Sequence, residues 1–285
     1  MGKRSLLVLS GGHPYEEGPF AALLAGLSGL AGLSGLAGLS GLSGLSGLSG
    51  LADWELTHLI HPEAERLVGE GAADDADALL FYDMPGYEFA DGAVTSRPPS
   101  AAFKAAIARR LASGRGAVMM HHALAGWADW PEWSEMIAGR FLYQPGLVRG
   151  KARLDSGYRH DVDYVASVVT EHPVTTGVPA NFPVNDELYL AEVFAQDIIP
   201  LVRSDYGFVA ENFYSAAKAV AGQMFDNRDW PHPPGNNLVA WARHFGDARI
   251  VYLQFGDGPA TYANPAVQRL LANALDWTSP TRSAE

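Results

Sequence analysis

The sequence of 285 residues predicts an α/β protein built on a doubly wound, mostly parallel sheet. Apolar runs without polar alternation recur along the chain, as strands buried on both faces require. Helical patterns lie between several of these runs, and polar residues follow them directly, as at the ligand-binding edge of such sheets. The predicted strands are residues 5–9, 55–60, 78–82, 116–120 and 249–254.

Two helices are marked by the residues at their ends. Ser100 is a suitable cap for a helix that stops before Gly114, and the predicted strand 117–120 follows it. Asn264 opens a final amphipathic helix that ends near Trp277. The first of these helices, with the strands around it, forms a βαβ unit.

The middle of the chain, about 162–220, has shorter β-rich pieces and is interpreted as an elaboration on the core sheet. No charged or Pro/Ser-rich linker divides the sequence. We therefore expect one domain over residues 1–280, followed by a tail at 281–285.

Residues 26–52 are nine consecutive Gly-Leu-Ser or Gly-Leu-Ala triplets. A period of three fits neither a helix nor a strand, and glycine at every third helical position would cost about 1 kcal/mol each relative to alanine. Pro19 marks a short helix that the triplets prolong before a strand opens at Trp54. We interpret the tract as a repeat insertion without chemistry; an apolar arm for self-association, giving a homo-oligomer, is the alternative.

Composition excludes several classes of function. The net charge of −12, with scattered Lys and Arg, argues against a nucleic-acid partner. The absence of cysteine excludes disulfides, thiolate metal sites and a thiol nucleophile. No uninterrupted apolar run reaches the roughly 18 residues of a membrane span, so we expect no membrane partner and a cytoplasmic location.

Polar side chains follow three of the predicted strands. His13 and Tyr15 follow the first strand, Asp83 follows the third, and His121 and His122 follow the fourth. Carboxyl ends of parallel strands share one edge, so these residues should face one crevice. Adjacent strand residues point in opposite directions, so we expect one of the two histidines to face the crevice and the other the interior, with His121 the first choice for catalysis.

The turn at 118–126 stands where many α/β hydrolases carry a nucleophile on a sharp elbow, but it holds histidine. With no cysteine and no G-x-S-x-G motif, acyl-enzyme chemistry and glutamine hydrolysis are disfavoured. Gly11 and Gly12 indicate a close approach of the backbone, but G-x-G-x-x-G is absent and NAD is not implied.

Carboxylates offer further candidates. Asp186, Glu187 and Tyr189 form an acid/base or metal-ligand group, or a solvated turn. Asp257 follows the last predicted strand and is likewise either a functional carboxylate or part of a turn. Histidine with carboxylates permits a divalent metal such as Zn²⁺, but no H-E-x-x-H spacing occurs, and metal ligands remain unassigned.

Aromatic side chains beside the polar loops favour a small carbohydrate as the ligand. Trp127 and Tyr15 could stack on a sugar ring, which binds through a flat apolar face and polar groups at its rim. Core packing is the alternative for each ring.

Short segments in the right order resemble the ThuA-like (trehalose utilisation) family over nearly the whole chain, apart from the triplet repeat. They are Gly-Gly-His-Pro-Tyr at 11–15, His-Ala at 122–123, Trp-Pro-Glu-Trp at 130–133, Gly-Arg-Phe at 139–141, His-Pro-Val-Thr at 172–175, Asp-Glu-Leu-Tyr at 186–189 and Tyr-Ala-Asn-Pro at 262–265. The resemblance implies a flavodoxin-like fold of the class I glutamine amidotransferase type without its catalytic cysteine. It also implies a small carbohydrate substrate: trehalose, a related disaccharide or a 3-keto derivative.

Residues and resemblance together give the candidate site. The candidates for catalysis are His13, His121, His122 and Glu187, and those for substrate binding are Tyr15, Asp83, Trp127, Asp186, Tyr189 and Asp257. The resemblance also implies Gly-His-Asp where this chain has Gly-Asp-Gly at 256–258. This difference puts the family's activity in question for this chain, because the carboxylate of Asp257 is a weaker base at neutral pH than a histidine in its place.

Two hypotheses follow. The first is a sugar-processing enzyme, a hydrolase, lyase or isomerase, in which His121 or His122 acts with Glu187. The second is a non-catalytic carbohydrate-binding or regulatory module.

Overall fold

The computed structural model describes residues 3–28 and 54–280. In chain order its strands are β1 (Arg4–Gly11), β2 (Trp54–Ile60), β3 (Ala78–Asp83), β4 (Tyr87–Ala90), β5 (Ala93–Ser96), β6 (Ala117–Met120), β7 (Gly139–Arg140), β8 (Gly146–Val148), β9 (Lys151–Arg153), β10 (Gly157–Val168), β11 (Asn181–Leu190), β12 (Glu192–Val193), β13 (Ile199–Ser204), β14 (Tyr214–Ser215), β15 (Leu238–Phe245) and β16 (Ala248–Leu253). Its α-helices are α1 (Glu17–Ser28), α2 (Glu63–Gly69), α3 (Ala101–Ala112), α4 (Pro131–Ile137), α5 (Ala216–Val220), α6 (Pro259–Tyr262) and α7 (Pro265–Thr278).

One half of the main sheet is parallel and has the strand order β2-β1-β3-β6-β16. This is the order of flavodoxin-like folds. All five strands predicted from apolar runs are present, and every residue of β3 and β6 is buried. The predicted α/β fold class is therefore confirmed.

The other half of the sheet is antiparallel. Beyond β16 the order continues β15-β13-β10-β11, and β14 pairs with β10. The predicted β-rich elaboration thus extends the same sheet, which is mixed rather than mostly parallel. β11 begins with exposed and buried residues in alternation, which is typical of an antiparallel strand with one solvated face.

Helices cover both faces of the parallel half. α1 and α7 pack with the apolar cluster that contains Leu6 and Val8, whereas α2, α3 and α4 pack with the cluster that contains Leu7 and Leu9. Alternate residues of β1 therefore enter opposite cores, as a doubly wound sheet requires.

The predicted cap of α3 is confirmed, since the backbone N–H of Phe103 donates to Oγ of Ser100 at 3.2 Å. None of the described helices combines the length and apolar composition needed to cross a membrane.

α1 includes the first triplet of the repeat, Gly26 to Ser28. The interpretation of the remaining triplets, and of the tail at 281–285, falls outside the described residues.

Gly12 shows the predicted close approach of the backbone. Its φ is +80°, and a Cβ atom there would lie 2.3 Å from the carbonyl oxygen of Met84. Any side chain at this position would clash with a rigid backbone group. The loops after β1 and β3 therefore meet at the edge of the sheet.

Candidate functional site

A cavity of about 320 Å³ lies where the loops after β1 and β3 face β10 and β11. This volume is near the lower end of small-molecule sites, about 300–1,000 Å³. The lining residues are Gly12, His13, Pro14, Met84, Phe89, Phe141, Tyr143, Tyr158, His160, Glu187, Tyr189, Ala216, Ala219, Val220 and Met224. A larger groove of about 680 Å³ beside α3, α4 and the β15–β16 turn lies away from the carboxyl ends of the parallel strands. We place the site in the smaller cavity because imidazole, carboxylate and phenol groups meet there.

Glu187 connects the cavity to the interior. Its side chain is 5% exposed, with Oε2 3.2 Å from Nε2 of His121 and Oε1 3.3 Å from Nδ1 of His160. Each carboxylate oxygen thus faces a different imidazole. This arrangement fixes the orientation of the one carboxylate among the described lining residues.

His121 lies behind Glu187, fully buried and outside the cavity lining. Its Nδ1–H donates to the carbonyl oxygen of Gln254 at 2.6 Å, which leaves Nε2 to face the carboxylate. Nε2 is also 2.8 Å from the hydroxyl of Tyr189 and 3.7 Å from Asp257. His121 therefore positions Glu187 and does not itself reach a ligand in the cavity.

The carboxylates determine the charge of His121. Burial lowers its pKa, but hydrogen bonds to Asp257 and Glu187 outweigh burial and raise the pKa to about 10. The same ion pair overcomes the effect of burial on Asp257 and lowers the pKa of that carboxyl. At neutral pH His121 is an imidazolium that keeps Asp257 ionised.

Asp186 points away from the cavity and holds the turn after β16. Its two carboxylate oxygens accept hydrogen bonds from the backbone N–H groups of Gly256 and Asp257, each at 2.9 Å. Burial raises the pKa of Asp186 to about 6, against the opposing effect of His121 and these two donors. Asp186 thereby places Asp257 beside His121.

The two adjacent histidines do not alternate as predicted. β6 ends at Met120, and His121, with φ of +52°, begins a 3₁₀ turn, so the strand rule does not apply. Both rings are buried. His122 stacks on His13 with ring centroids 4.6 Å apart, and burial lowers its pKa far below the ordinary value. His122 is therefore a neutral ring beneath His13.

His13 lines the cavity as expected. Its Nδ1 donates to the carbonyl oxygen of Pro14 at 2.8 Å. Burial, with the positive charge of His121, lowers its pKa. A neutral His13 with Nδ1–H engaged leaves Nε2 free to accept a hydrogen bond.

Five predicted substrate-binding residues do not line the cavity: Asp186 and Asp257, whose positions are given above, and Tyr15, Asp83 and Trp127. The hydroxyl of Tyr15 is 2.9 Å from Oγ of Ser10. Asp83 is fully buried, 2.7 Å from Nε2 of His61, and Trp127 is also fully buried. The carboxylate and the indole are enclosed by the core, so the geometry gives them packing roles, and we leave Tyr15, Asp83 and Trp127 out of the proposed site.

His160 lines the cavity but is not among the site residues predicted from the sequence. This residue lies on β10, where the register with β11 shifts between Arg159 and Val162 and Asp161 has φ of +53°. Such a bulge redirects side chains and is frequent beside active sites. The polar triplet Arg-His-Asp within an otherwise regular strand was the available signal. The aromatic residues Phe141, Tyr143 and Tyr158 were missed as well.

A metal could also fit a cluster of three side chains, of which His121 and Glu187 are buried and Asp257 is partly exposed. His121, Glu187 and Asp257 each offer one ligand atom, all within 4.8 Å of one another. One imidazole with two carboxylates suits a divalent transition metal. The proton on Nε2 of His121 would have to leave first, so a metal and a proton compete for this atom.

Fold and site define an α/β protein of flavodoxin-like strand order with an imidazole–carboxylate cluster at a cavity beside the strand ends. Residues 74–278 match the ThuA family, described as trehalose utilisation. The chain belongs to this family, and membership supports a general role in carbohydrate utilisation. No match was found among curated protein sequences.

Solved structures agree on the fold. A putative ThuA-like protein from Parabacteroides merdae is 14% identical, with a TM-score of 0.64 over 100% of this chain and 93% of that chain. A putative ThuA-like protein from Bacteroides uniformis is 16% identical, with a TM-score of 0.56 over 97% and 91%. A cytoplasmic protein from Salmonella typhimurium LT2 is 11% identical, with a TM-score of 0.53 over 97% and 100%. At these identities the similarity concerns the fold alone.

Proposed function

We propose that this protein is an enzyme of carbohydrate utilisation that moves a proton on a small keto sugar, with Glu187 as the base. The position of Glu187 carries the proposal, because it is a carboxylate at a cavity, held between two imidazoles. General acid–base catalysis needs such a group oriented and within reach of the substrate.

The proposed step is enolisation. Glu187 removes a proton from the carbon next to the keto group, and the electron pair of that C–H bond forms a carbon–carbon double bond. The π pair of the carbonyl moves to its oxygen, which takes a proton from the imidazole of His160, whose ring also lines the cavity. Return of a proton to carbon completes an exchange or an isomerisation without any oxidant.

Other reaction classes fit the lining less well. Most glycosidases use a pair of carboxylates that flank the scissile bond. Asp257 faces His121 instead of the cavity, so a second carboxylate is missing from the described lining. No serine, threonine or cysteine is among these residues, which disfavours a covalent acyl intermediate.

Deuterium exchange tests the proposal. The protein is incubated in D₂O with trehalose, its 3-keto form and a 3-keto glucoside, and loss of the ¹H signal beside the ketone is followed by NMR. We expect exchange well above the rate in protein-free buffer, and Glu187→Gln lowers it by about 10²–10⁴-fold. The exposed residue Glu171 gives the matched control, Glu171→Gln, which keeps the wild-type rate. Binding of the keto sugar without faster exchange would overturn the proposal.

A non-catalytic carbohydrate-binding module is the second candidate. It is favoured by the absence of His121 and Asp257 from the described cavity lining, which leaves one carboxylate there to meet a ligand. The module predicts a sugar-dependent rise in melting temperature with no exchange and no product. The exchange experiment therefore separates the two candidates.

A metal-assisted form of the enzyme has its own readout. His121, Glu187 and Asp257 would hold the ion, which would polarise a sugar oxygen. Added Zn²⁺ or Mn²⁺ would then raise both the melting temperature and the exchange rate. If neither changes, the chemistry is that of the side chains alone.

A further inference from the structure

The cavity offers few hydrogen-bonding groups for a second sugar ring. No Asn, Gln, Lys, Arg, Ser or Thr is among the described residues that line it. Buried sugar hydroxyls without partners oppose binding, because they lose their hydrogen bonds to water. The polar groups of His13, His160 and Glu187 suffice for one ring at most.

The tyrosines of the lining are already engaged. The hydroxyl of Tyr189 is 2.8 Å from His121, and that of Tyr143 donates to the sulfur of Met84 at 3.1 Å. The hydroxyl of Tyr158 accepts from the backbone N–H of Phe225 at 3.2 Å. Each of these hydroxyls already has a protein partner, so the phenols offer a ligand fewer free hydrogen-bonding positions and a large area of ring surface.

Apolar side chains form the mouth of the cavity. Phe89, at the end of the β4–β5 hairpin, is 47% exposed, and Met224, after α5, is 51% exposed. Both line the cavity, together with Val220 of α5. The hairpin tip at Gly92 lies next to Val220, so the two elements meet beside the cavity. Large apolar side chains half exposed at one mouth favour an apolar ligand group there.

We infer that the substrate is a glycoside of an apolar alcohol or phenol, with its sugar ring at Glu187 and its apolar group against Phe89, Val220 and Met224. The inference rests on the proposed function, since Glu187 defines where the sugar sits. It replaces the second ring of a disaccharide by an alkyl or aryl group. Burial of that group between the hairpin and α5 contributes binding free energy in place of the hydrogen bonds that the cavity does not offer to a second sugar ring.

A matched substrate series tests the inference. The probes are the 3-keto forms of trehalose, of methyl glucoside and of phenyl glucoside, both anomers of each glucoside. Binding is measured by calorimetry and proton exchange by NMR. We expect the phenyl glucoside to bind at least about tenfold more tightly than either other probe, since one apolar group of this size contributes 1.4 kcal/mol or more. Equal or tighter binding of the disaccharide would overturn the inference.

Variants locate the apolar group. Phe89→Ser and Met224→Ser should each reduce affinity for the phenyl glucoside more than for the methyl glucoside. Leu147 is 76% exposed and is not among the described residues that line this cavity, so Leu147→Ser is the matched control and keeps the preference. A preference that survives both mouth variants would place the apolar group elsewhere and refute the assignment.

The two proposals fail in different ways. A phenyl preference in binding without proton exchange contradicts the proposed enzyme but keeps the apolar group at the mouth. Exchange on all three probes with no preference keeps the enzyme and contradicts the inference. Binding of phenol alone as tightly as phenyl glucoside would contradict the sugar position as well.

Discussion

The parallel and antiparallel halves of the sheet differ in what their polar residues do. At the ends of the parallel strands, polar side chains mostly pair with one another, as Asp83 does with His61. The antiparallel half brings His160, Glu187 and Tyr189 to the cavity. The parallel half thus forms the structural framework, and the antiparallel half provides most of the polar side chains that line the cavity. His121, directly after β6, is the contact between them.

The largest expected effect concerns this contact. The pKa of His121 is raised from 6.5 to about 10 in the folded protein. The ion pair therefore stabilises the fold fully below pH 6.5, and the stabilisation is lost as the pH rises through about 10. Relative to His121→Gln, the wild type should lose about 4 kcal/mol of unfolding free energy between pH 6 and pH 10. Urea unfolding at pH 6, 8 and 10 measures the difference.

The ion pair would be contradicted if the difference in unfolding free energy between the wild type and His121→Gln stayed constant with pH. If the variant does not fold, Asp257→Asn provides the second test. It removes one carboxylate from His121, so its stability should fall less steeply between pH 6.5 and 10 than that of the wild type.

His160→Gln tests whether a side chain of the antiparallel half can contribute to proton transfer without contributing to the stability of the fold. Loss of the proton donor should slow exchange on a keto glucoside by about 100-fold. The side chain is 41% exposed, so unfolding free energy should change by less than about 0.5 kcal/mol. His232→Gln, at a partly exposed histidine outside the cavity lining, is the control for both measurements. A full exchange rate in His160→Gln would contradict His160 as the proton donor.

Gly12→Ala tests how tightly the loops after β1 and β3 pack against each other at the edge of the parallel half. A Cβ atom 2.3 Å from the carbonyl oxygen of Met84, at a φ of +80°, should destabilise the fold by about 2 kcal/mol. Gly258 has no atom within 4 Å of an added Cβ, so Gly258→Ala should unfold like the wild type. Equal urea midpoints for both variants would show that the two loops can separate at little cost.

Ser100→Ala should have the smallest effect. It removes the cap of α3 and costs about 1 kcal/mol of stability, far from the cavity. Proton exchange should be unchanged, in contrast to His160→Gln. Ser134→Ala, at a partly exposed serine inside α4, is the control. A loss of exchange in Ser100→Ala would mean that the parallel half contributes to the chemistry directly.

Local patterns in the sequence were enough to predict the parallel half. Continuous apolar runs identified its strands, and Ser100 and Asn264 identified two helix caps that the structure confirms. Glu187 was a candidate because two carboxylates and a phenol stand together in the chain. These features need only neighbouring residues for their recognition.

Pairings between distant residues could not be predicted. Asp83 follows a strand, as a binding residue would, but His61 encloses it in the interior. His121 was the first choice for catalysis, and only the fold shows Glu187 between it and the cavity. His160 was missed because a bulge cancels the alternation by which strand residues are assigned to a face.

The bulge between Arg159 and Val162 also affects how this protein is compared with its relatives. One residue more or less in this stretch would shift the register of β10 and move an imidazole from one face of the strand to the other. A related chain could therefore lose or gain this group by a single insertion or deletion, with every carboxylate retained. Gap placement within β10 will accordingly decide whether two family members are judged to share the same cavity.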